Sequence, residues 1–167
     1  MSSYVISDIH GQYETFQKML ELIDFKEEDK LYVLGDVIDR GPDGIKLLIQ
    51  LFKMPNVELF LGNHELLMLD ALQNEDDAIR KDRKDTDDID LWLDPCNGGS
   101  VTFQAYKELT VAEKTAISNR LKSSLIAKVV RVGKHTYHLS HSYVYNKKFK
   151  NELRYMDLKH KDVWNIV

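Results

Sequence analysis

Leu31-Tyr32-Val33-Leu34-Gly35-Asp36-Val37-Ile38-Asp39-Arg40-Gly41 is an apolar run that stops at Gly-Asp and is followed by a second carboxylate and an arginine. A short apolar run bounded by a turn signal reads as a buried strand. The same layout recurs on either side of it. Tyr4–Ser7 ends at Asp8-Ile9-His10-Gly11, and Val57–Leu61 ends at Gly62-Asn63-His64-Glu65. Between these runs lie two stretches with helical spacing. Tyr13–Ile23 carries Phe16, Met19, Leu20 and Ile23, and Gly44–Lys53 carries Ile45, Leu48, Ile49 and Phe52 before Pro55-Asn56 breaks it. The order β-α-β-α-β predicts parallel strands joined by helical crossovers, an α/β architecture.

Downstream, Leu66–Ile79 has helical character, Asp82–Asp90 reads as a charged loop, and Leu91-Trp92-Leu93 restores an apolar anchor. Asn97-Gly98-Gly99 is a turn signal. Ser100–Glu108 and Val111–Leu121 predict two helices, the second capped by Thr110 with Glu113 as its capping-box partner. Leu125–Val132 and Thr136–Ser140 predict an antiparallel hairpin turning near Gly133-Lys134. The expectation is therefore a single domain over residues 1–167, with a helical insertion at about 70–122.

The composition narrows the class. The chain has 167 residues, 43% hydrophobic and 30% charged, with a net charge of −4. Aliphatic and aromatic residues throughout exclude a disordered chain. No apolar run reaches the roughly 18 to 20 residues of a membrane span. Cys96 is the only cysteine, which excludes a disulfide scaffold. With no secretory signal after Met1-Ser2-Ser3, the expected compartment is the cytoplasm. Residues 70–94 carry a charge of −6 and residues 120–161 a charge of +9. The basic stretch reads as a solvated face, or as a surface that favours anionic substrates. No aromatic–basic pattern points to nucleic acid, and neither nucleic acid nor membrane is expected as a partner.

The polar residues gather just past the strand ends: Asp8 and His10, then Asp36, Asp39 and Arg40, then Asn63, His64 and Glu65, and last His141. Sites in α/β sheets form outside the carboxyl ends of the parallel strands. Asp, His and Asn without thiolate suit Mn, Fe or Zn. Two such ions about 3.5 to 4 Å apart can hold a phosphoester and activate water. Glu65 has two readings, a carboxylate that holds the loop or a charge that complements a helix N-terminus.

Asp8-Ile9-His10-Gly11, Gly35-Asp36-Val37-Ile38-Asp39-Arg40-Gly41 and Gly62-Asn63-His64-Glu65 resemble the three signature motifs of the calcineurin-like metallophosphoesterases. The Asp-Arg-Gly and Asn-His-Glu endings are similar to the phosphoprotein phosphatase branch. Trp92-Leu93, Asn97-Gly98-Gly99 and Thr102 resemble a further pattern of its bacterial and phage members. The resemblance implies a mixed β-sheet sandwich flanked by helices and two divalent metal ions, Mn or alternatively Fe or Zn. It assigns Asp8 and His10 to the first ion, Asp36 as the bridge, and Asn63 and His141 to the second. His64 becomes the general acid, oriented by Asp39, and Arg40 with Asn63 binds the phosphoryl group. A carboxylate partner raises a histidine pKa, and a guanidinium fork matches phosphate, so chemistry supports the acid and the arginine independently.

The implied activity is phosphoester hydrolysis by direct attack of metal-activated hydroxide on phosphorus. A Ser/Thr protein phosphatase acting on a phosphoprotein is the leading expectation. Alternatives are a diadenosine polyphosphate hydrolase acting on a small phosphoester, and an impaired or non-catalytic binding relative. The third arises because the branch's Gly-His-Thr motif has no counterpart downstream of His141. His160 lacks its context, and Trp164-Asn165-Ile166 lacks the arginine of the segment that precedes it. The second metal site is then expected to be incomplete and the C-terminal strands missing.

Overall fold

Alternate residues of Lys30–Leu34 face opposite sides of the sheet, and both sides are apolar at Leu31, Tyr32, Val33 and Leu34. A strand of that kind is stable only in a sheet's interior, and that is where it lies. The computed structural model describes residues 1–76, 86–142 and 151–158. Strands β1 (Ser3–Ile6), β2 (Lys30–Leu34) and β3 (Val57–Phe60) pair in parallel, with Val33 opposite Ile6 and Leu59. Helices α1 (Tyr13–Leu22) and α2 (Gly44–Lys53) supply the crossovers. α2 buries Ile45, Leu47, Leu48 and Leu51 in a cluster with Phe16, Leu31, Val33, Leu59 and Leu61. Each such side chain contributes about 1.5 to 3 kcal/mol by leaving water.

Four helices follow β3: α3 (Asn63–Asp76), α4 (Thr86–Leu93), α5 (Ser100–Lys107) and α6 (Val111–Lys122). The capping box of α6 forms as expected, Thr110 accepting from the Glu113 backbone and Glu113 from the Thr110 backbone. Two expectations need correction. Residues 86–90, read as loop, are helical, because Ile89, Trp92 and Leu93 recur at helical spacing and pack on the core. Helix α3 starts at Asn63 rather than Leu66, so Asn63 and His64 stand in its first turn.

The chain then returns to the sheet as β4 (Leu125–Val132), parallel to β3 at Phe60–Leu125, and turns back as β5 (His135–Ser140). A short strand after His141, β6 (Glu152–Arg154), pairs antiparallel with β4. Its three residues are too few and too polar to be seen in a sequence pattern; β4 supplies the template. The result is a six-stranded mixed sheet in a mixed α/β fold, with β1-β2-β3-β4-β5 in order. Its second face holds a smaller cluster of Tyr32, Phe60, Leu125, Val130 and Leu139. Beside that cluster, Glu58 pairs with Lys30 (3.3 Å) and Lys128 (2.6 Å), and Glu152 with Lys128 (3.4 Å) and Arg154 (2.7 Å). Lys128, one charge of the basic C-terminal stretch, thus ties β4 to β3 and β6, while Arg154 pairs within β6. Trp164-Asn165-Ile166 and His160 lie outside the described residues.

Candidate metal and phosphate site

The three parallel strands all end at the same edge, and their following loops are tied together there. The backbone N–H groups of Asp8, His10 and Gly11 donate to the carbonyls of Gly35, Asp36 and Val37 at 3.2, 2.9 and 2.7 Å. From α3, Glu65 reaches back fully buried. One of its carboxylate oxygens accepts from the N–H groups of Asp36 and Gly62, the other from Val37 and Ile38. Burial and the Asp36 charge raise its pKa, while the backbone donors work in the opposite direction.

These ties hold an unfavourable backbone. Asp8, His10, Asp36, Asp39 and Arg40 all have positive φ, between 44° and 68°. A side chain in the left-handed region costs about 1 to 2 kcal/mol per residue. Such strain gathers where the surrounding structure over-determines a functional geometry. Gly11, also at positive φ, allows close approach: a Cβ there would stand 2.6 Å from the carbonyl oxygen of Gly41.

The side chains converge. His10 Nδ1 donates to the Ile38 carbonyl (2.9 Å), His141 Nδ1 to the Leu34 carbonyl (2.6 Å) and His64 Nδ1 to Asp39 Oδ2 (2.7 Å). An oxygen acceptor at each Nδ1 puts a proton there, so each Nε2 is the nitrogen left to bind an ion or, in an imidazolium, to carry a second proton. All three Nε2 atoms face Asp36 Oδ2, at 3.9, 3.6 and 3.9 Å for His10, His141 and His64. The Arg40 guanidinium lies beside both rings, 3.0 Å from His10 Nε2 and 3.3 Å from His64 Nε2.

This donor set fits a divalent cation. The ligand atoms of His10, Asp36 and His64 lie within 4.8 Å of one another, all three residues buried. A histidine whose other nitrogen is fixed on a carbonyl or carboxylate is the usual form of a metal ligand. His141 Nε2 lies 3.2 Å from Asn63 Oδ1, and two lone pairs at that distance call for a proton or a cation between them. Asp8 stands apart. It is at the same edge but exposed, its carboxylate accepting from the Ser7 hydroxyl. The compact cluster contains His64 instead of Asp8.

Burial disfavours the His64 imidazolium, yet the hydrogen bond to Asp39 and the charges of Asp36 and Asp39 outweigh it and raise its pKa. Asp39 is fully buried. Its Oδ2 also accepts from Trp92 Nε1 (3.0 Å), and its backbone N–H donates to Thr102 Oγ1 (2.9 Å). The sequence reading takes Trp92 as an apolar anchor; its indole N–H has a polar partner as well. The signal for such a role lay in the resemblance of Trp92, Asn97-Gly98-Gly99 and Thr102 to a family pattern.

The strand ends thus bring to one sheet edge a buried His10, Asp36 and His64 cluster that could hold a metal ion. The chain belongs to the calcineurin-like phosphoesterase family, whose model matches residues 1–166. A stretch of 71 residues is 46% identical to the symmetrical bis(5′-nucleosyl)-tetraphosphatase of Wigglesworthia glossinidia brevipalpis, covering 41% of this chain and 26% of that protein. Proteins of the same name are similar over longer stretches. The one from Legionella pneumophila (strain Corby) is 36% identical over 103 residues, covering 56% of this chain and 37% of its own. The one from Cellvibrio japonicus is 38% identical over 102 residues, covering 56% and 38%. The chain thus spans 26 to 38% of the length of these relatives. Among the described residues no helix is long and apolar enough to cross a membrane.

Proposed function

We propose that this chain carries the metal and phosphate centre of a phosphoester hydrolase acting on dinucleoside polyphosphates. The observation that carries the reaction class is the convergence of the Nε2 atoms of His10, His64 and His141 on Asp36, with Asn63 against His141 and a guanidinium beside His10 and His64. His10, Asp36, Asn63 and His141, with Asp8 moving in from the same edge, would hold up to two divalent ions, manganese being the first to try. Bound there, such ions neutralise phosphate charge and lower the pKa of water. Arg40 grips the phosphoryl oxygens with its planar fork. Water attacks phosphorus and gives up a proton to solvent, the bridging P–O bond to the departing nucleoside diphosphate breaks, and His64, as imidazolium, donates its Nε2 proton to the departing oxygen. Asp39 keeps that ring oriented and charged.

The names of the relatives favour a dinucleotide substrate over the phosphoprotein expected from the Asp-Arg-Gly and Asn-His-Glu endings. Those endings surround the phosphoryl group that both substrates share, so they do not distinguish between them. The test is hydrolysis of diadenosine tetraphosphate and of a phosphoserine peptide by the purified chain with added Mn2+. Release of ADP from the dinucleotide, with little phosphate from the peptide, is expected. The reverse preference would restore the protein-phosphatase reading. Stoichiometric Mn2+ binding without turnover of either substrate would support the non-catalytic relative.

A further inference from the structure

We propose that the segment from Trp92 to Thr102 is a positioning clamp that sets the orientation of the Asp39 carboxylate and the course of Arg40. The inference rests on the roles proposed above for His64 and Arg40. Asp39 and Arg40 are consecutive residues with φ of 68° and 65°, a conformation that neither adopts without support. Three contacts from the α4–α5 segment supply it. Trp92 Nε1 donates to Asp39 Oδ2 (3.0 Å), Thr102 Oγ1 accepts from Asp39 N (2.9 Å), and the Gly98 carbonyl accepts from Arg40 N (3.1 Å). The segment is closed on itself by Gly98 N to the Asp94 carbonyl (2.9 Å), Gly99 N to the Trp92 carbonyl (3.2 Å) and Asn97 Nδ2 to the Leu91 carbonyl (2.7 Å). It is also seated tightly: a Cβ on Gly98, itself at φ +73°, would stand 3.0 Å from Arg40 Cγ.

The chemistry of the tryptophan donor is what makes this more than packing. A carboxylate turns about its last torsion with little resistance. Asp39 Oδ1 is buried with no hydrogen-bond partner among the described residues, so the two bonds to Oδ2, from His64 and Trp92, are what define the carboxylate plane. The indole is a donor only, so it holds the carboxylate oxygen without taking a proton from it. Its ring is immobile, being 0% exposed and edge-on to Phe103 at 5.8 Å. Deleting the N–H frees the carboxylate to rotate, and the His64 ring loses the partner that aims its Nε2 at the leaving oxygen.

Trp92→Phe keeps the ring edge on Phe103 and removes only the donor, and Thr102→Val removes the acceptor for Asp39 N while keeping its shape. Both are compared with the wild-type chain, with Mn2+, on phenyl phosphate and on 2,4-dinitrophenyl phosphate. The first has a basic leaving group that needs a proton, and the second does not. We expect kcat on phenyl phosphate to fall about 10- to 100-fold, with KM and the dinitrophenyl rate changed less than about threefold. Equal losses on both substrates would mean packing alone and overturn the clamp. The second readout needs no turnover. By 15N-edited NMR, the His64 Nδ1 proton should exchange with water at least about tenfold faster in either variant. Unchanged exchange in both refutes the clamp, even in a chain that hydrolyses nothing. A wild-type chain inactive on both phosphates would count against the proposed function, while exchange still decides the clamp. If Trp92→Phe does not fold, Thr102→Val carries the same two tests.

Discussion

Glu65→Gln isolates the carboxylate that ties the site together. In the wild type one oxygen of Glu65 takes the N–H groups of Asp36 and Gly62 at 2.8 and 2.9 Å, and the other takes those of Val37 and Ile38 at 2.8 and 3.3 Å. Glutamine keeps a single oxygen. Whichever way it turns, its NH2 group faces two buried donors and leaves both without an acceptor. A hydrogen bond to a charged group contributes about 1.5 to 3 kcal/mol. Two of them are lost, partly offset because the buried charge and its repulsion with Asp36 disappear as well. The net destabilisation should be about 2 to 4 kcal/mol. For a chain of this size that lowers Tm by roughly 5 to 15 °C. With a urea m-value of about 2 kcal/mol/M, the midpoint moves by roughly 1 to 2 M. Urea unfolding followed by tryptophan fluorescence would measure it, with m unchanged. If Glu65 were only a charge at the start of α3, its removal would cost no more than about 1 kcal/mol. A loss of that size or smaller would refute the tie.

Further expectations concern the charges. Arg40 places its positive charge 3.0 Å from His10 Nε2, a nitrogen a metal ion would use, so Arg40→Ala should raise Mn2+ affinity by about three- to tenfold while weakening phosphate binding; calorimetry reads both, and weaker Mn2+ binding would contradict the ligand assignment. Gly62→Ala would drive a Cβ into the Asp36 carboxylate; Mn2+ affinity should fall by at least about tenfold, and unchanged binding would show that Asp36 is not a ligand. Burial works against the charges of Lys128 and Glu152, but their ion pairs prevail, raising the Lys128 pKa above 10.5 and lowering the Glu152 pKa below 4.5. The Lys128 contribution to stability is therefore present below pH 10.5 and lost as pH rises through its folded pKa. That of Glu152 is present above pH 4.5 and lost as pH falls. Lys128→Met should remove the alkaline limb of a urea-midpoint profile against pH and only partly flatten the acid limb, where Arg154 still pairs with Glu152; an alkaline limb as steep as in the wild type would show the Lys128 pairs to be without effect.

Much of this molecule was legible in the chain itself because the relevant signals are local. Apolar runs ending in Gly-Asp or Gly-Asn marked β1, β2 and β3, and helical spacing marked α1, α2 and α6, since each pattern reports a face that must be buried within one element. Asp36, Asn63 and His64 stood out as a set because parallel connections send the ends of β1, β2 and β3 to the same edge, and His141 joins them from the end of the antiparallel β5. The helical state of residues 86–90 was not legible. It depends on Ile89 and Trp92 finding a core made by distant strands, against the local bias of a charged stretch. The three residues of β6 likewise had no pattern of their own, only β4 to pair with.

What tertiary structure alone decided is orientation. Which nitrogen of each histidine carries the proton depends on carbonyls at Ile38 and Leu34 and a carboxylate at Asp39, separated from their histidines by 28, 107 and 25 residues. Whether Glu65 was a helix-end charge or a loop tie depended on where four backbone N–H groups pointed. Asp8, equal to His10 in the linear motif, stands exposed while His64 joins the compact cluster. Residue type and order specified which donors reach the edge, because strand direction and chain polarity are local matters. The direction of each lone pair was settled by partners far away in the chain, and hydrogen-bond geometry has no linear signature.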